Sequence, residues 1–427
     1  MYSTLFSLKL LFVSFFIFYF LFFFYYSLES EVIEEITKSI FDELNCELSD
    51  DSEHLVGIDS HVKEMLNLFS TMSDDVRFIG FWGMPGIGKT TLALAIYNRI
   101  RHQFEASSFI NGIREKDEKH GREHLQKQLL YETLRVKKDI WDHRIGINVI
   151  KKRLLNKKVL IVLDDVDKDE QLQALAGKPN WFGLGSIIII TSKDKHLLKR
   201  HHLGTTIHKV HGLDNDEALE LFSWYVFKQP YPKKDFEDLS NGFVKYAKGL
   251  PIALKVLGSS LFDKTREVWE DHLHQLEEIL EGETLEGEIL EEKILDKLEI
   301  SYKGLTDAEK YLFLDIACFF KGEDKNRVAH IEGFGCKKNI ETLKDKSLIA
   351  ILGGKLHMHD LIQQMGWRIV SRESPQERGR RSRLWLCKDV FHVLKKNTVS
   401  GSVYRHKLRE VYICVILANF LLYLCQC

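Results

Sequence analysis

Between Phe78 and about Val210, short apolar runs alternate with stretches whose apolar residues recur at helical spacing. The runs Phe78–Trp82, Ala106–Ile110, Val159–Leu163, Ser186–Thr191 and Thr206–Val210 have strand length, and the alternation predicts a parallel sheet flanked by helices. Right-handed crossovers would bring every strand C-terminus to one edge. Upstream, Val32, Ile33, Ile36, Ile40, Phe41 and Leu44 predict a connector helix within 29–51, and Val62, Met65, Leu66 and Phe69 a further amphipathic helix after Val56-Gly57-Ile58. From Asp214 to about Ile300 the pattern is helical throughout. It opens on Asp214-Asn-Asp-Glu217, a cap ahead of the apolar face Ala218, Leu221, Phe222 and Tyr225. From Ser301 to about Val393, helices containing Leu312–Phe320 and Ile340–Lys346 precede the run Ser347–Leu352 and a Gly353-Gly354 turn, which suggests a winged helix. The expected organisation is an α/β domain with a helix-flanked parallel sheet over 52–213, a helical bundle over 214–300 and a winged-helix domain over 301–395.

The two ends break this pattern. Leu5–Tyr26 is an almost unbroken apolar run with Lys9 as its one charge, long enough to cross a bilayer. Read directly, 1–28 is a membrane anchor; a cleaved leader lacks a clear small-residue cleavage site, and a misassigned start of the coding sequence is the other reading. Glu29, Glu31, Glu34 and Glu35 on the far side make the charge pattern a poor fit to a cytoplasmic face. The tail 396–427 carries Val411–Leu424, apolar but shorter than a span, with Cys425 and Cys427 beyond it as lipidation candidates or as the end of a truncated reading frame.

Composition narrows the options further. A chain of 427 residues suggests several domains, and Lys plus Arg (60) nearly balances Asp plus Glu (62). No aromatic-interleaved basic patch is present, so nucleic acid is not expected as a partner, and the Arg378–Arg383 run reads as solvated surface. Seven scattered cysteines form neither a disulfide framework nor metal-ligand pairs, which suits a reducing cytoplasmic compartment, with membrane association through residues 5–26 as the alternative.

The chemistry is concentrated in a few segments. Gly83-Met-Pro-Gly86-Ile-Gly88-Lys89-Thr90-Thr91 is a phosphate-cradling loop placed directly after a strand and before a helix. Glycines at 83, 86 and 88 let backbone N–H groups turn inward on phosphate, Lys89 supplies a point charge, and Thr90 offers a hydroxyl to Mg²⁺. The run Lys158–Leu163 ends in Asp164 and Asp165, about where a second strand beside that loop should end. Asp164 is the candidate Mg²⁺ partner and Asp165 the candidate base for an attacking water, although two carboxylates capping the next helix is the plainer use. A third strand ends at Thr191-Ser-Lys193, so Thr191 and Lys193 could touch a terminal phosphate. Gly249-Leu-Pro251 can start a helix and face a base, and His357-Met-His359-Asp360 follows the wing, where His359 could reach a phosphate. Zinc at the H-x-H pair has little support without further spaced ligands.

Taken together these segments resemble the NB-ARC core of plant disease-resistance receptors of the TIR-type nucleotide-binding, leucine-rich-repeat class. Val56-Gly-Ile58, the phosphate loop, Phe109-Ile-Asn-Gly-Ile-Arg-Glu115, Asp164-Asp165, Gly249-Leu-Pro251, Phe313–Phe320 and Met358-His-Asp360 recur in order from about Ser52 to Ser400, and Asp167 fits the TIR class. The resemblance implies an ADP/ATP switch in which ADP holds three subdomains closed and exchange lets the winged helix swing. It implies that Val56 and Ile58 meet the adenine, Lys89, Thr90 and Thr91 the phosphates, Asp164 the Mg²⁺ and Asp165 the water. Pro251 would line the base pocket and His359 would bond the ADP β-phosphate. The implied partners are other immune receptors or further copies of the chain.

There are departures. The family typically carries arginine at the positions of Ile187 and Lys193, which weakens the expectation of terminal-phosphate sensing, since lysine lacks the bidentate fork. The apolar run stands where the TIR domain would be, and no leucine-rich period follows Val393. The leading reading is thus a truncated receptor core acting as a nucleotide switch. An active ATPase using Asp165, and a nucleotide-independent, membrane-tethered decoy or regulator, are the rivals.

Overall fold

A computed structural model describes residues 56–70, 75–135, 137, 139–200, 207–281, 289–333 and 335–396. The apolar run 5–26, the connector helix of 29–51 and the stretch 411–424 lie outside the described residues. Among the described residues, no helix is long and apolar enough to cross a membrane.

Five parallel strands form the first sheet: β1 (Arg77–Trp82), β2 (Ala106–Ile110), β3 (Val159–Leu163), β4 (Ile187–Ser192) and β5 (Ile207–Lys209), in the order β2-β3-β4-β1-β5. The strands read as apolar runs because both sheet faces are covered. Ile79 and Phe81 of β1, Leu160 and Val162 of β3, and Ile189 of β4 point into one core; Phe78, Ile161, Leu163, Ile188 and Ile190 point into the other. Helix α1 (Ile58–Ser70) and α2 (Lys89–Ile100) cover the first face, α2 through Leu92, Ala93, Ile96 and Ile100. On the second lie α3 (Ile113–His120), α4 (Arg122–Leu134), α5 (His143–Leu154), α6 (Asp169–Ala176) and α7 (Lys195–Arg200), which contribute Ile113, Leu125, Leu129, Ile150, Leu172 and Leu197.

The end of β3 lies beside the phosphate loop as expected, although the strands themselves are not neighbours. β3 does not lie beside β1; β4 pairs with both and stands between them. Trp82, at the end of β1, is level with Ser192 of β4. The loops after β1, β3 and β4 therefore meet at one edge, with β4 in the middle.

A helical bundle follows: α8 (Asn215–Phe227), α9 (Glu237–Ala247), α10 (Pro251–Leu261), α11 (Arg266–Glu281) and α12 (Ile289–Lys303). Asp214 caps α8 as the sequence suggests: its carboxylate accepts Glu217 N–H at 2.9 Å while the Glu217 side chain accepts Asp214 N–H at 3.1 Å. Trp269 is fully buried, edge-on to Phe222 and Phe243 at 5.9 and 5.6 Å.

The last unit begins with α13 (Asp307–Asp315), capped by Thr306 and continued by a π-helical turn, Ile316–Phe320. Then come α14 (Lys325–Glu332), α15 (Cys336–Asp345), the antiparallel hairpin β6 (Ala350–Leu352) and β7 (Lys355–His357), α16 (Asp360–Glu373) and α17 (Cys387–Lys396). Gly353 and Gly354 both have positive φ, +55° and +76°, the backbone of a tight hairpin turn. This is a winged helix. Its apolar interior is continuous with that of the bundle and of the first sheet face.

Arg378–Arg383 is only in part a solvated surface: Arg378 and Arg380 are exposed, Arg381 and Arg383 are not. Arg383 is 5% exposed and donates through Nε to Asp315 Oδ1 at 2.6 Å and through a terminal nitrogen to Tyr311 O at 3.0 Å. Arg381 donates to Ser374 O and Pro375 O, and Arg378 to Asp389. Arg381 and Arg383 are buried because carboxylates and carbonyls complete their hydrogen bonds, while Arg378 and Arg380 stay exposed.

Candidate functional site

The site grows from the loop between β1 and α2. Gly86 and Gly88 have φ of +75° and +98°, a region that side chains disfavour, and Gly88 is the N-cap of α2, whose first residue is Lys89. The Lys89 ammonium donates to Gly83 O and Met84 O, both at 2.9 Å, so the side chain folds along the concave side of the loop. Thr91 is half-buried one position beyond Thr90 on the same helical turn. Free N–H groups and the helix dipole at this end favour an anion.

Two more strand ends complete the acidic side. Asp164 follows β3 and is 4% exposed. Its Oδ1 accepts the Thr90 hydroxyl at 2.8 Å and the Thr191 hydroxyl at 2.7 Å, so α2 and β4 both orient it. Burial pushes this carboxyl up from its ordinary range and the nearby Asp165 charge adds to the effect, while the Thr191 and Thr90 hydrogen bonds oppose it. Thr191 Oγ1 also accepts Asp165 N–H at 2.9 Å. Asp165 itself has φ of +54°, unusual for a residue with a side chain, and its Oδ2 accepts Arg114 Nε at 2.9 Å.

The bundle and the winged helix roof the phosphate loop. A Cβ placed on Gly86 would lie 2.4 Å from Ile252 Cγ2 and 3.0 Å from Leu361 Cδ1, so the loop touches the start of α10 and the start of α16. Pro251 is the first residue of α10. Gly249 ahead of it has φ of +68°, and a Cβ there would strike Leu213 O at 2.2 Å, while Leu213 N–H donates to Gly249 O at 2.9 Å. The Gly249-Leu-Pro251 segment is thereby bound to the entrance of α8. On the same entrance, Gly57 packs with Leu213 and Glu217, and the half-buried Val56 and Ile58 flank it.

His359 is the N-cap of α16: Nδ1 accepts Leu361 N–H at 3.1 Å. The residue as a whole is exposed, and its ring lies near the charges of Asp360, Lys321, Lys89 and Lys255. Desolvation there, with the cations Lys321, Lys89 and Lys255 against the attraction of Asp360, pushes its pKa down to about 4. A neutral ring whose Nδ1 accepts must carry its proton on Nε2, which leaves a donor for an acceptor in the cleft. Asp360 next to it is held below the ordinary carboxylate range: burial opposes this, but Lys321 and Arg114 outweigh it. Arg114 donates to Asp360 Oδ2, and Lys321 Nζ donates to Asp360 Oδ1 at 2.8 Å.

Of the residues singled out from sequence, Gly83, Gly86, Gly88, Lys89, Thr90, Thr91, Asp164 and Asp165 come together at the sheet edge. Gly86 draws Pro251 and His359 in through their neighbours Ile252 and Leu361. Val56 and Ile58 lie at the α8 entrance, where Leu213 is hydrogen-bonded to Gly249. Lys193 stands apart, exposed one residue past β4; the β4 residue that contacts Asp164 is Thr191. Ile187 is removed from any phosphate-sensing role, because it pairs with Arg77 at the opposite end of the strands, roughly 16 Å from the loop edge at about 3.3 Å per residue. Sequence reasoning missed Arg114 and Lys321. The block Phe109–Glu115 contained Arg114, but nothing in it announced two carboxylate partners.

Residues 58–231 match the NB-ARC domain family, and residues 306–374 match the winged-helix domain of Roq1-like disease resistance proteins. The disease resistance protein RUN1 of Vitis rotundifolia is 46% identical over 362 residues, 84% of this chain and 26% of that protein. The TMV resistance protein N of Nicotiana glutinosa is 40% identical over 357 residues, 81% of this chain and 30% of that protein. The chain thus spans about a quarter to a third of the length of these curated relatives. A solved signal transduction ATPase with a tetratricopeptide repeat sensor, from Pyrococcus horikoshii, aligns at 18% identity over 81% of this chain and 46% of that one, with a TM-score of 0.47. With the phosphate loop, acidic strand end and winged helix in family order, this chain belongs to the plant TIR-type disease-resistance proteins, of which it carries the nucleotide-binding NB-ARC module and the winged helix.

Proposed function

We propose that the chain acts as an ADP/ATP-operated switch in plant defence signalling, with the nucleotide held under the bundle and the winged helix. The observation that carries this reading is the contact of Gly86 with both Ile252 and Leu361: a nucleotide on this loop is covered by elements of two further units. In this reading Lys89, Thr90 and Thr91 take the phosphates, Val56, Ile58 and Pro251 line the base, and His359 donates from Nε2 to the β-phosphate. Release then requires α16 to move away from the loop.

The donor set suits Mg²⁺. That ion prefers a few oxygen ligands, keeps several waters and leans on substrate phosphates, and the Thr90 hydroxyl and Asp164 carboxylate already converge at 2.8 Å. They would hold it beside the phosphates, where it would neutralise charge. Lys193, exposed beyond β4, would reach a terminal phosphate only by extending across the edge of the site.

The environment of Asp165 favours a slowly turning-over switch over an efficient ATPase. The Asp165 carboxylate, which would take the proton of an attacking water, instead accepts from Arg114. Assembly with other receptors or with further copies of the chain belongs to the same reading. The test is to purify the full chain, denature it and identify the released nucleotide by chromatography, with Lys89→Ala alongside. Stoichiometric ADP in the wild type and none in the variant is expected; a folded wild type without nucleotide sinks the reading.

A further inference from the structure

The nucleotide-binding groups leave unexplained a set of charges at the rim of the site. Arg114 and Glu115 are adjacent in the first turn of α3, directly after β2. Lys321 follows the π-helical turn, and Asp360 opens α16. Across the gap the signs alternate. Arg114 meets Asp360, Lys321 Nζ lies 3.3 Å from Glu115 Oε2, and the same ammonium reaches Asp360 Oδ1 at 2.8 Å and Gln363 Oε1 at 3.1 Å. The Lys321 and Arg114 side chains are 16% and 26% exposed, so this group is screened less than a surface pair.

Arg114 serves two carboxylates at once. Beyond Asp360 it donates through Nε to Asp165 Oδ2 at 2.9 Å, and its backbone N–H donates to Asp165 O at 3.3 Å. Asp165 is held in the left-handed region by the same contacts, and a non-glycine residue kept there needs surroundings that fix it. A planar guanidinium carries donors on separate nitrogens and here uses two of them for two acids, whereas a lysine at 114 would have all its donors on one nitrogen.

We propose that Arg114 is a positioning residue that ties Asp165 to the winged helix, and that the Glu115–Lys321 pair closes the joint. This rests on the switch reading above and adds to it a physical link between the place of the winged helix and the state of the acid. While α16 is docked, Asp360 and Asp165 share Arg114. When α16 leaves, Arg114 loses one of its two acids and its hold on Asp165 loosens. In hydrolysis the water oxygen bonds to the γ-phosphorus and the bond from that phosphorus to the β,γ-bridging oxygen breaks, its electron pair leaving on ADP. The water proton passes to the Asp165 carboxylate and then to solvent. A carboxylate occupied by a guanidinium is poorly placed to take that proton, so docking of the winged helix restrains turnover as well as release.

The experiment uses the full chain with Glu115→Lys, Lys321→Glu, and both together. Release of a fluorescent ADP and single-turnover phosphate release from bound ATP are the readouts. Each single change should speed both by at least about fivefold, the lower end of ordinary coupling between sites. The double change restores opposite charges between 115 and 321 but leaves the new carboxylate at 321 facing Asp360, so it should recover part of the acceleration caused by Lys321→Glu alone. Arg114→Lys should release phosphate quickly and make that rate indifferent to the 115 and 321 changes. Single changes at wild-type rates overturn the proposal, as does a double change that is no slower than Lys321→Glu alone. ADP release that quickens without any change in phosphate release overturns the link to Asp165. Should the charge reversals not fold, Glu115→Gln and Lys321→Gln are read in the same way. A wild-type chain that binds no nucleotide refutes the switch reading and this link with it, whereas a wild type that retains ADP alongside unresponsive variants refutes the link alone.

Discussion

The roof over the phosphate loop can be tested by adding one methyl group. At Gly86 an alanine must adopt φ near +75° and place its Cβ 2.4 Å from Ile252 Cγ2 and 3.0 Å from Leu361 Cδ1. The left-handed backbone costs an L-residue roughly 1–2 kcal/mol, and forcing a methyl into a filled contact typically costs a further 1–3 kcal/mol. Gly88 is the internal control: its φ of +98° carries the backbone cost, but a Cβ there meets nothing within 4 Å. Gly86→Ala should therefore lose about 1–3 kcal/mol more than Gly88→Ala, read by urea unfolding of the nucleotide-free chain with tryptophan fluorescence. Ile252→Ala removes the atom that the new methyl strikes. In a double-mutant cycle it should recover part of the Gly86→Ala loss, beyond additivity by about 1 kcal/mol. Equal losses at the two glycines, or strict additivity with Ile252→Ala, would mean that α10 and α16 do not rest on the loop in solution.

Other consequences follow from the acidic cluster and the buried arginine. Because burial raises the Asp164 pKa, the folded state favours the neutral carboxyl; that contribution is complete below the ordinary value of 3.8 and is lost as pH rises through the raised folded value. Asp164→Asn should thus melt higher than wild type at pH 7 without divalent cation, with the gain shrinking toward pH 4, and a pH-independent gain would contradict the assignment. Thr191→Val strips one hydrogen bond from Asp164 and one from Asp165 N–H in a fully buried position, and should cost about 1–3 kcal/mol in denaturant unfolding. Arg383→Ala leaves Asp315, 0% exposed, with an uncompensated charge and should cost roughly 3–5 kcal/mol. Replacing Asp315 by leucine in the same molecule should reduce that loss, and a larger loss in the double variant would show that the pair is not the determinant.

The strands were legible because each is a run of apolar residues buried on both faces, and the segment from Ile187 to Ile190 admits no other use. Their order was not. Whether β3 or β4 lies beside β1 depends on how the crossovers pack, and no local pattern encodes that. The polar end of β4 shows the same limit at the scale of single residues. Thr191 and Lys193 both looked fit to meet a phosphate, yet in the sheet Thr191 is inward and bonded to Asp164, whereas Lys193 has left the strand and faces solvent. Arg114 and Asp360 are 246 positions apart, and Arg383 and Asp315 are 68 apart. A charge carries no periodicity that names its partner, so a buried ion pair and a solvated arginine run look alike in sequence.

The two kinds of contact at the site divide its work. Ile252 and Leu361 meet the phosphate loop through apolar atoms at van der Waals range, and such contacts have steep walls: they fix where α10 and α16 can sit but respond little to charge. Arg114, Glu115, Lys321 and Asp360 meet through charges whose attraction declines slowly with distance and depends on the potential around them. In the proposed switch reading, a γ-phosphate beside Lys89 would change that potential by more than one charge near His359, whose pKa already registers Lys89, Lys321 and Asp360. On that reading the apolar roof would set the geometry of closure, and the ionic rim would be the part through which the winged helix feels a difference of one phosphate.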